Sequence, residues 1–428
     1  VGTVVDTLRR ATKLDVPTLI AGWLDAMEPG GRFALLKLLL GGLRVGVSAR
    51  LAKTALAEMG GVDLAEVEEV WHGLEPPYES LFAWLEGKAE RPGVAHGLAF
   101  RPMMLANPVS EEDFARLNPA DFLAEWKWDG IRVQLVSDGH SRRIYSRTGE
   151  DICGSFPDIV DAMDFDVVLD GELLVAREGV VASFNDLQQR LGRKAVGRPL
   201  LTAHPAHVRL YDILFDGAED LRPLLLAQRR RRLEAWYDHA APDRMDLSEL
   251  IVFEAWPELA ALRADARAAG IEGLMLKRKD SPYLSGRPKG PWFKWKRNPL
   301  TADCVLMYAQ RGHGKRSSFY SDYTFGCWRD GAGGGAELVP VGKAYFGFTD
   351  AELREIDKWV RENTVERFGP VRAVRPGLVL EIAFDAVQRS ARHKSKVAMR
   401  FPRVSRIRWD KPAEEADRLE TLEALIEG

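Results

Sequence analysis

The sequence predicts a multidomain fold with an all-α N-terminal domain, an α+β central domain and a small C-terminal β-barrel. The chain has 428 residues, which is enough for two or three domains of ordinary size. Apolar residues follow a helical period up to about residue 95, and strand-like runs then alternate with helical segments. Beyond residue 300, short strand-like runs with glycine-rich turns dominate. We therefore predict domains at residues 1–97, 98–299 and 300–428.

The first domain is predicted to contain only helices. Leucines recur at helical spacing over residues 35–43, and Leu51, Ala55 and Met59 repeat that spacing. Asp63 is a residue type that commonly begins a helix, and an apolar helix face follows it. The chain begins with Val rather than Met, so we expect this domain to lack its natural start.

The second domain is predicted to combine strands and helices. A proline-punctuated loop at residues 102–119 separates it from the helices before it. The strand-like runs are at 122–128, 131–136, 167–169, 208–215 and 274–277, and helices are predicted at 228–237 and 256–269. This mixture is typical of an α+β domain. The arginine run at 229–232 is predicted to be a solvated helix face.

The third domain is predicted to be a small barrel. Short strands are expected over residues 303–348, with a turn at 331–335, and again at 379–384. One helix is expected at 350–362 and another at 413–426. Short strands with a single inserted helix at this length suit an OB-fold β-barrel.

Composition excludes several classes of protein. Lysine and arginine number 60 against 63 acidic residues, so a wholly basic nucleic-acid coat protein is excluded. The hydrophobic fraction of 46% excludes intrinsic disorder. The three cysteines (Cys153, Cys304 and Cys327) form no CxxC pair, which excludes a disulfide framework and a four-cysteine zinc site. This pattern is typical of a protein in a reducing compartment, where we expect the three cysteines to be small core residues. No segment is apolar enough over a sufficient length to predict a membrane span.

The most informative segment is residues 125–132, Glu-Trp-Lys-Trp-Asp-Gly-Ile-Arg. Read as a strand, it places Glu125, Lys127 and Asp129 on one face and the two tryptophans on the other. The Asp-Gly pair predicts a hairpin, after which Arg132 joins the polar face. A solvated strand residue is the usual interpretation of a single lysine. Two flanking tryptophans and converging acids favour a chemical role instead.

A lysine nucleophile must be unprotonated, and an ordinary lysine amine is almost entirely protonated near neutral pH. Burial or nearby cations are therefore needed to activate one. The later parts of the chain supply cations at Lys277, Lys294 and Lys296. A bound metal ion is another source.

The segment from Lys127 to Arg132 resembles the KxDGxR motif of ATP-dependent DNA ligases, members of the covalent nucleotidyltransferase superfamily. A single KxDG recurs by chance, but six more segments resemble the motifs of that family in the family order. They are SRTGED at 146–151, LDGEL at 169–173, LYDIL at 210–214, EGLMLK at 272–277, WFKWK at 292–296 and the RFPR-containing segment at 400–411. GLRVGV at 42–47 resembles part of the DNA-binding domain that precedes the catalytic core in bacterial ligases of this type.

The resemblance implies an adenylation domain at 98–299 and a role for particular residues. Lys127 would be the catalytic nucleophile that forms an AMP-lysine, and Glu272, with Glu172 as second candidate, would bind the metal. Arg408, Asp410 and Lys411 would orient the pyrophosphate. Whether Arg287 or Lys289 contacts the nucleotide is open. The implied nucleotide-binding residues are Glu125, Arg132, Arg147, Glu172, Tyr211, Met275, Arg287, Lys294 and Lys296.

The resemblance also implies the substrates and partners. ATP would be the adenylyl donor, with Mg²⁺ or Mn²⁺, and the partner would be nicked double-stranded DNA bound by a monomer in the bacterial cytoplasm at the nucleoid. The run from Arg389 to Lys411 has nine basic residues and one acid, a local charge of +8 that suits DNA phosphates. The candidate DNA contacts are Arg389, Arg392, Lys394, Lys396, Arg400 and Arg403.

Several of these residues, taken singly, have a simpler structural interpretation. The protein as a whole also has alternative functions. Tyr211 alone would be core and each glutamate alone an exposed strand residue, but the ordered motif set favours the site. For Met275, packing under adenine and ordinary core packing are equally open. An mRNA-capping guanylyltransferase, an RNA ligase and a DNA-binding protein without activity are the alternatives. An NAD-dependent ligase is disfavoured because its zinc cysteines are absent from the sequence.

Overall fold

The computed structural model describes residues 2–12, 14–40, 46–74, 77–92, 98–193, 195–266, 271–312, 317–331, 334–391 and 393–426. The chain divides into two compact units, Val1–Pro102 and Met103–Gly428. Residues 42–45 of the GLRVGV segment lie outside the described residues, and so does Arg392. None of the helices in the described part of the chain is long and apolar enough to cross a membrane.

The first unit is built from helices in its described residues. They are α1 (Gly2–Arg10), α2 (Val16–Asp25), α3 (Pro29–Leu39), α4 (Ala49–Gly60), α5 (Leu64–Trp71) and α6 (Glu79–Leu85). Asp63 caps α5 as expected, because its carboxylate and that of Glu66 form reciprocal hydrogen bonds with the first backbone amides. Leu51 and Met59 of α4 are exposed, whereas Ala57 of the same helix is buried. The small core of this unit consists of Ala57, Val67, Val70, Leu81 and Leu85.

The second unit combines four sheets with short helices in its described residues. Its strands are β1 (Asn107–Pro108), β2 (Phe122–Trp128), β3 (Ile131–Ser137), β4 (Arg142–Ser146), β5 (Val167–Arg177), β6 (Val180–Val181), β7 (Ala206–Asp216), β8 (Glu219–Asp220), β9 (Met245–Leu247), β10 (Leu250–Ile251), β11 (Ile271–Arg278), β12 (Trp292–Lys296), β13 (Leu300–Arg311), β14 (Tyr320–Asp330), β15 (Ala336–Ala344), β16 (Thr364–Phe368), β17 (Val371–Val374), β18 (Val379–Phe384), β19 (Ala386–Arg389), β20 (Val397–Arg400) and β21 (Arg403–Arg408). Its helices are α7 (Pro157–Asp161), α8 (Phe184–Gln188), α9 (Arg198–Ala203), α10 (Leu226–Ala240), α11 (Trp256–Asp265), α12 (Asp350–Glu362) and α13 (Leu419–Glu423).

Two sheets form the part of this unit that precedes residue 300. The first has the order β1-β12-β11-β2-β10, and the second has the order β4-β3-β5-β7-β8 with β6 and β9 at its margins. The second sheet buries a large apolar core that includes Val133, Leu135, Leu169 and Val208. This α+β architecture agrees with the sequence prediction.

The C-terminal region, residues 300–428, is β-rich and OB-like. Its main sheet has the order β15-β14-β13-β17-β16, and β18 pairs with both β13 and β21. Helix α12 spans the predicted residues, and the capping box of Thr349 and Glu352 marks its start. Cys304 and Cys327 are buried in this core with their Sγ atoms 3.6 Å apart.

The Asp-Gly hairpin expected at Asp129 and Gly130 is wrong. β2 pairs with β11 and β10, whereas β3 pairs with β4 and β5, so the chain passes from one sheet to the other at this turn. Glycine is required there because a Cβ on Gly130 would lie 2.6 Å from the carbonyl oxygen of Leu173. The same residue pair that would suit a hairpin therefore joins two sheets at the edge of a cavity.

The solvated arginine face expected at 229–232 is also wrong for half of its residues. Arg229 is fully buried and donates to both carboxylate oxygens of Asp212, at 2.8 and 2.9 Å. Arg230 is buried too, while Arg231 is exposed. The reason is that α10 packs on β7, and that contact is not visible in the local sequence.

The C-terminal helix is shorter than the sequence predicts. Residues 413–426 contain a single 3₁₀ turn, Ala413–Glu415, and then the short helix α13. Between them Asp417 binds the backbone of β13: its amide donates to the Asp303 carbonyl, and its carboxylate accepts from the Asp303 amide, both at 2.8 Å. These bonds replace the helical hydrogen bonds that the sequence pattern predicts.

Candidate active site

A cavity of about 450 Å³ is lined by both sheets that precede residue 300, and by Arg400 and Phe401 of the C-terminal region. Its size is within the range of small-molecule sites. The residues that the motifs assign to catalysis, nucleotide and metal all line it: Glu125, Lys127, Arg132, Arg147, Glu172, Tyr211, Glu272, Met275, Arg287, Lys294 and Lys296. The fold therefore brings together side chains that are up to 171 positions apart in sequence.

Lys127 lies in β2 with its amine at a carboxylate of the neighbouring strand. Its Nζ is 2.5 Å from Oε2 of Glu272, and Nζ of Lys296 is 3.5 Å from the same oxygen. Gly273 of β11 pairs with Lys127 on one side and with Lys296 on the other. Its φ of +139° and a Cβ position 2.3 Å from the carbonyl oxygen of Trp295 require glycine. A register irregularity before Gly273 thus places one acid between two lysines.

Two of the glutamates that line the cavity, Glu172 and Glu272, differ in proton affinity. Burial raises the pKa of Glu272, but the charges of Lys127 and Lys296 outweigh burial and hold the pKa below its ordinary value. Burial raises the pKa of Glu172 to about 7, and Lys127 and Arg132 only partly oppose it. Near neutral pH, Glu272 is therefore ionised, whereas Glu172 titrates.

The carboxylates of Glu172 and Glu272 suit a magnesium ion whose other ligands are phosphate oxygens and water. The described ranges contain no group of three or more His, Cys, Asp or Glu side chains that could hold a metal alone. Mg²⁺ needs only one or two carboxylates when phosphate oxygens and water complete its shell. The donor set therefore fits this ion but does not make a cage of protein ligands.

Arg132 is held rigidly at the cavity by a buried acid. Its Nε and Nη2 donate to Asp170 at 2.9 and 2.5 Å, and Nη1 donates to the carbonyl of Met104. Tyr283 donates to the same carboxylate at 2.7 Å. Burial would lower the pKa of Arg132, but Asp170 raises it well above its ordinary value. Asp170 resembles a turn residue in the sequence, yet it lies within β5 and is fully buried.

Tyr211 and Lys277 form another wall. Lys277 is 1% exposed, and its amine lies 4.2 Å from the ring centre of Tyr211. The amine donates to both oxygens of Glu125 at 3.0 and 3.1 Å, and the hydroxyl of Ser248 donates to Oε2 at 2.9 Å. From the sequence, Lys277 is expected only to be a nearby cation. Its position two residues after Met275 in an apolar strand is the signal for a cavity-facing side chain.

Basic side chains surround one end of the cavity. Burial lowers the pKa of Lys294, and the charges of Arg287, Lys296, Lys127 and Arg147 lower it further. Mutual repulsion of this kind is relieved when an anion binds among the cations. This end is therefore suited to phosphate.

Of the two residues left open by the sequence, Arg287 is the one whose side chain lines the cavity. Its Nη1 donates to the carbonyl of Ala106 at 2.6 Å, which fixes the guanidinium. Lys289 is exposed two residues later.

Arg209 is a cavity residue that the motifs did not single out. It pairs with Glu172 across β5 and β7, and its guanidinium lies 4.4 Å from the ring centre of Trp128. Asp246 accepts from its Nε and Nη2 at 2.9 and 2.6 Å. Arg209 lies two residues before Tyr211 on the same strand, so the two side chains face the same side. That spacing is the sequence signal that Arg209 also faces the cavity.

Arg400, expected at DNA, lies at the mouth of the cavity. Its guanidinium forms an ion pair with Asp129, with Nη2 donating to Oδ1 at 2.9 Å, and lies 4.3 Å from the ring centre of Phe184. Burial raises the pKa of Asp129, although Arg400 opposes this. The adjacent Phe401 has a φ of +52° and also lines the cavity. The C-terminal region thus contributes to the site through this pair.

The other candidate DNA contacts are spread over the surface of the C-terminal region. Arg389 and Lys396 are exposed, and Arg392 lies outside the described residues. Lys394 is 2.5 Å from Glu337, and Arg403 is 3.3 Å from Asp385.

Arg408, Asp410 and Lys411 are not among the residues that line the cavity in the described parts of the chain. Arg408 binds Asp410 through Nε and Nη2, at 3.0 and 2.9 Å. Arg408 and Lys411 also share one carboxylate oxygen of Asp303. The structure therefore holds these three together but apart from the nucleotide motifs.

Comparisons with known proteins match the same regions. Residues 103–296 match the model of the ATP dependent DNA ligase domain, and residues 316–411 match that of the ATP dependent DNA ligase C terminal region. A probable DNA ligase of Koribacter versatilis is 36% identical over 438 residues, covering 96% of this chain and 74% of that protein. DNA ligase 1 of Korarchaeum cryptofilum is 32% identical, covering 94% of this chain and 73% of that protein.

The fold has a counterpart among solved structures. A structure from a study of Lig E DNA ligases has a TM-score of 0.50 and 18% identity, covering 72% of this chain and all of that chain. At that identity the likeness concerns the fold alone. The family matches cover the catalytic motifs and the relatives cover nearly the whole chain, so this protein belongs to the ATP-dependent DNA ligase family, as its motifs predict.

Proposed function

We propose that this protein seals nicks in double-stranded DNA, with ATP as adenylyl donor and an AMP-lysine at Lys127 as intermediate. The observation that carries the proposal is the position of the Lys127 amine, 2.5 Å from Glu272 inside a cavity of about 450 Å³ that the other motif residues line. The carboxylates of Glu172 and Glu272 and the surrounding cations are the groups that phosphoryl transfer requires.

The proposed reaction has three phosphoryl transfers. The Lys127 nitrogen attacks the α-phosphorus of ATP, the bond to pyrophosphate breaks, and the amine loses a proton. A 5′-phosphate oxygen at the nick then attacks the same phosphorus, and the phosphorus–nitrogen bond breaks to regenerate the amine. Finally the 3′-hydroxyl attacks the activated 5′-phosphate, AMP leaves, and the hydroxyl proton is released.

The remaining residues position the reacting groups and neutralise the charge of the phosphates. Lys294, Lys296, Arg147 and Arg287 suit the phosphate oxygens, since they form the basic end of the cavity. Glu272 holds the Lys127 amine in place before the nucleotide enters. The reaction depends on alignment more than on acid–base chemistry, because little covalent work remains after the nucleophile.

Some of the side chains that line the cavity suit the adenine base and the ribose of ATP. Tyr211 offers an aromatic face, and Met275 faces the same cavity from β11. Arg132, which is fixed by Asp170, and Glu172, which pairs with it across β3 and β5, would flank the ribose. Glu125 is held by Lys277 and Ser248.

Glu272 and Glu172 would hold the magnesium ion. Mg²⁺, when bound, supplies positive charge to the phosphate oxygens. The ionised state of Glu272 makes it the first ligand, and Glu172 becomes available as it loses its proton near neutral pH.

We also propose the domain roles and the partner. Residues 1–97 would be an all-α DNA-binding domain, 98–299 the adenylation domain and 300–428 an OB-fold barrel, together a monomer on nicked duplex DNA at the nucleoid. The helices of the first unit and the +8 run from Arg389 to Lys411 support a DNA footprint. Arg408, Asp410 and Lys411 would orient the pyrophosphate.

One experiment separates the proposal from its alternatives. The protein is incubated with Mg²⁺ and α-labelled ATP or α-labelled GTP, and the covalent adduct is read from a denaturing gel. We expect an adduct with ATP alone, which a 5′-phosphorylated nicked duplex discharges with strand sealing. An adduct with GTP alone would indicate a capping enzyme, and no adduct would indicate a binding protein; either result overturns the proposal.

A further inference from the structure

Asp303 binds two cations of the last ligase motif at once. Its Oδ2 accepts from Nη1 of Arg408 at 3.0 Å and from Nζ of Lys411 at 2.8 Å. Asp303 precedes these residues by more than a hundred positions and belongs to none of the ligase motifs in the sequence. The contact is therefore created by the fold of the C-terminal region.

The Asp303 carboxylate is buried and only half satisfied. The residue is 8% exposed, and its Oδ1 is buried with no hydrogen-bond partner in the described structure. Its backbone is fixed on both sides by Asp417, through two hydrogen bonds of 2.8 Å. A buried carboxylate with an unpaired oxygen is costly to a fold, so packing alone does not explain Asp303 at this position.

The two cations depend on Asp303 to different degrees. Arg408 is gripped from two sides, since Nε and Nη2 bind Asp410 while Nη1 binds Asp303. These bonds use three of the five N–H donors of the guanidinium, which leaves two for another acceptor. Lys411 has the Asp303 oxygen as its partner at hydrogen-bond distance, and that bond raises the pKa of its amine.

Asp303 and Arg408 belong to the same β-sheet. Asp303 of β13 pairs with Glu381 of β18, and Arg408 of β21 pairs with Val379 of the same strand. A single strand therefore lies between them in one sheet. A movement of the C-terminal region as a body would carry the contact unchanged toward the nucleotide.

We propose that Asp303 is the positioning residue for the first step of the reaction: it fixes Arg408 and Lys411 in the geometry that meets the departing pyrophosphate. This inference rests on the proposed function. Asp303 itself touches no substrate and acts through the two cations. The second and third steps involve no pyrophosphate, so they do not depend on Asp303.

The test compares steps in the Asp303→Asn variant of the full chain. Single-turnover formation of the AMP-lysine is measured over a range of ATP concentrations, and sealing of a pre-adenylylated nick is measured beside it. We expect the maximal rate of adduct formation to fall about tenfold or more, since an aligned charge-assisted contact is lost in the transition state. Half-saturation by ATP should change less than about threefold, and sealing of the pre-adenylylated nick should be unchanged.

Asp357 provides a matched control. It has the same 8% exposure in the same region, and it also accepts from an arginine, Arg361 Nε at 2.7 Å. Asp357→Asn should lower thermal stability comparably and leave the adduct rate at the wild-type value. If both variants slow both steps equally, the effect of Asp303 is on folding, and the proposal is overturned.

A double-mutant comparison asks whether Asp303 acts through Arg408. In an Arg408→Gln background, Asp303→Asn should slow adduct formation by a much smaller factor than it does in the wild type. The reason is that the arginine to be positioned is already gone. Full additivity overturns the proposal. If Asp303→Asn does not fold, Asp303→Glu is used, with loss of the first step alone expected and a wild-type first step as the overturning result. Absence of any adduct in the wild type would instead refute the proposed function.

Discussion

Lys127 Nζ lies 2.5 Å from Glu272 Oε2, an ion pair that joins β2 and β11 inside the nucleotide cavity. The same oxygen is 3.5 Å from Lys296 Nζ. One acid therefore holds the proposed nucleophile and a proposed phosphate ligand before any substrate enters. The glycine after Glu272 makes this spacing possible, because a side chain there would collide with the neighbouring strand.

Replacing Lys127 with alanine should abolish the AMP adduct and nick sealing while the protein stays folded. Its amine is the proposed nucleophile, and its side chain is partly exposed, so little core packing is lost. Adduct formation from labelled ATP is the measurement, with circular dichroism to check the fold. Lys358→Ala, which removes an exposed lysine from α12, serves as control and should behave as wild type. An adduct on the folded Lys127 variant would refute the assignment.

Lys294→Ala and Lys296→Ala should each slow single-turnover adenylylation by about a hundredfold or more. Loss of one charge-assisted phosphate contact in a closed site typically costs a few kcal/mol. Lys289→Ala is the matched control, since that exposed lysine precedes the same strand. Wild-type rates in the two cavity variants would show that their amines do not serve the α-phosphate.

The magnesium requirement should depend on pH through Glu172. Its pKa of about 7 means that it is mostly protonated at pH 6 and mostly ionised at pH 8. The ionised fraction rises from roughly one tenth to nine tenths, so half-saturation by Mg²⁺ should fall about tenfold from pH 6 to pH 8.

Titration of Mg²⁺ in the adenylylation assay at both pH values measures this shift. Glu172→Gln cannot ionise and should need more Mg²⁺ at either pH, without the tenfold change. Equal half-saturation of the wild type at pH 6 and pH 8 would argue against Glu172 as a metal ligand.

A chain that ends at Pro299 should lose adenylylation yet keep some sealing of pre-adenylylated nicks at low salt. It lacks Arg408 and Lys411, which we propose serve the first step, but retains the cavity strands. It also lacks the +8 run, so its affinity for DNA should be lower throughout, and sealing should be measurable at low salt only. Adduct formation and sealing are assayed side by side. Full-rate adduct formation by the shortened chain would contradict the role given to the last motif.

Arg229→Ala should destabilise the protein by about 3–5 kcal/mol, because it leaves the Asp212 charge buried without its partner. Urea unfolding measures the change. Arg231→Ala, from the same arginine run but exposed, should stay within about 0.5 kcal/mol of wild type. Equal effects of the two variants would mean that the Arg229–Asp212 pair adds nothing to stability.

Local signals in the sequence placed several elements accurately. Residues 122–128 form a strand and residues 350–362 a helix, as predicted, because side-chain alternation and the capping residues act over a few positions. The hairpin at Asp129 and the solvated Arg229 were wrong for one reason. Both depend on which distant strand or helix packs against them, and no short window of sequence contains that information.

The family, the motif lysine and the set of charged and aromatic groups follow from the order of residues along the chain, because these are covalent facts. Tertiary structure decided which groups meet: Arg287 rather than Lys289 lines the cavity, Arg400 reaches Asp129, and Asp303 binds Arg408 and Lys411. It also made the two glutamates differ, since burial raises the pKa of Glu172 while the paired lysines lower that of Glu272. Burial and charge proximity arise only when distant strands pair, and that is why they had to be seen in the folded chain.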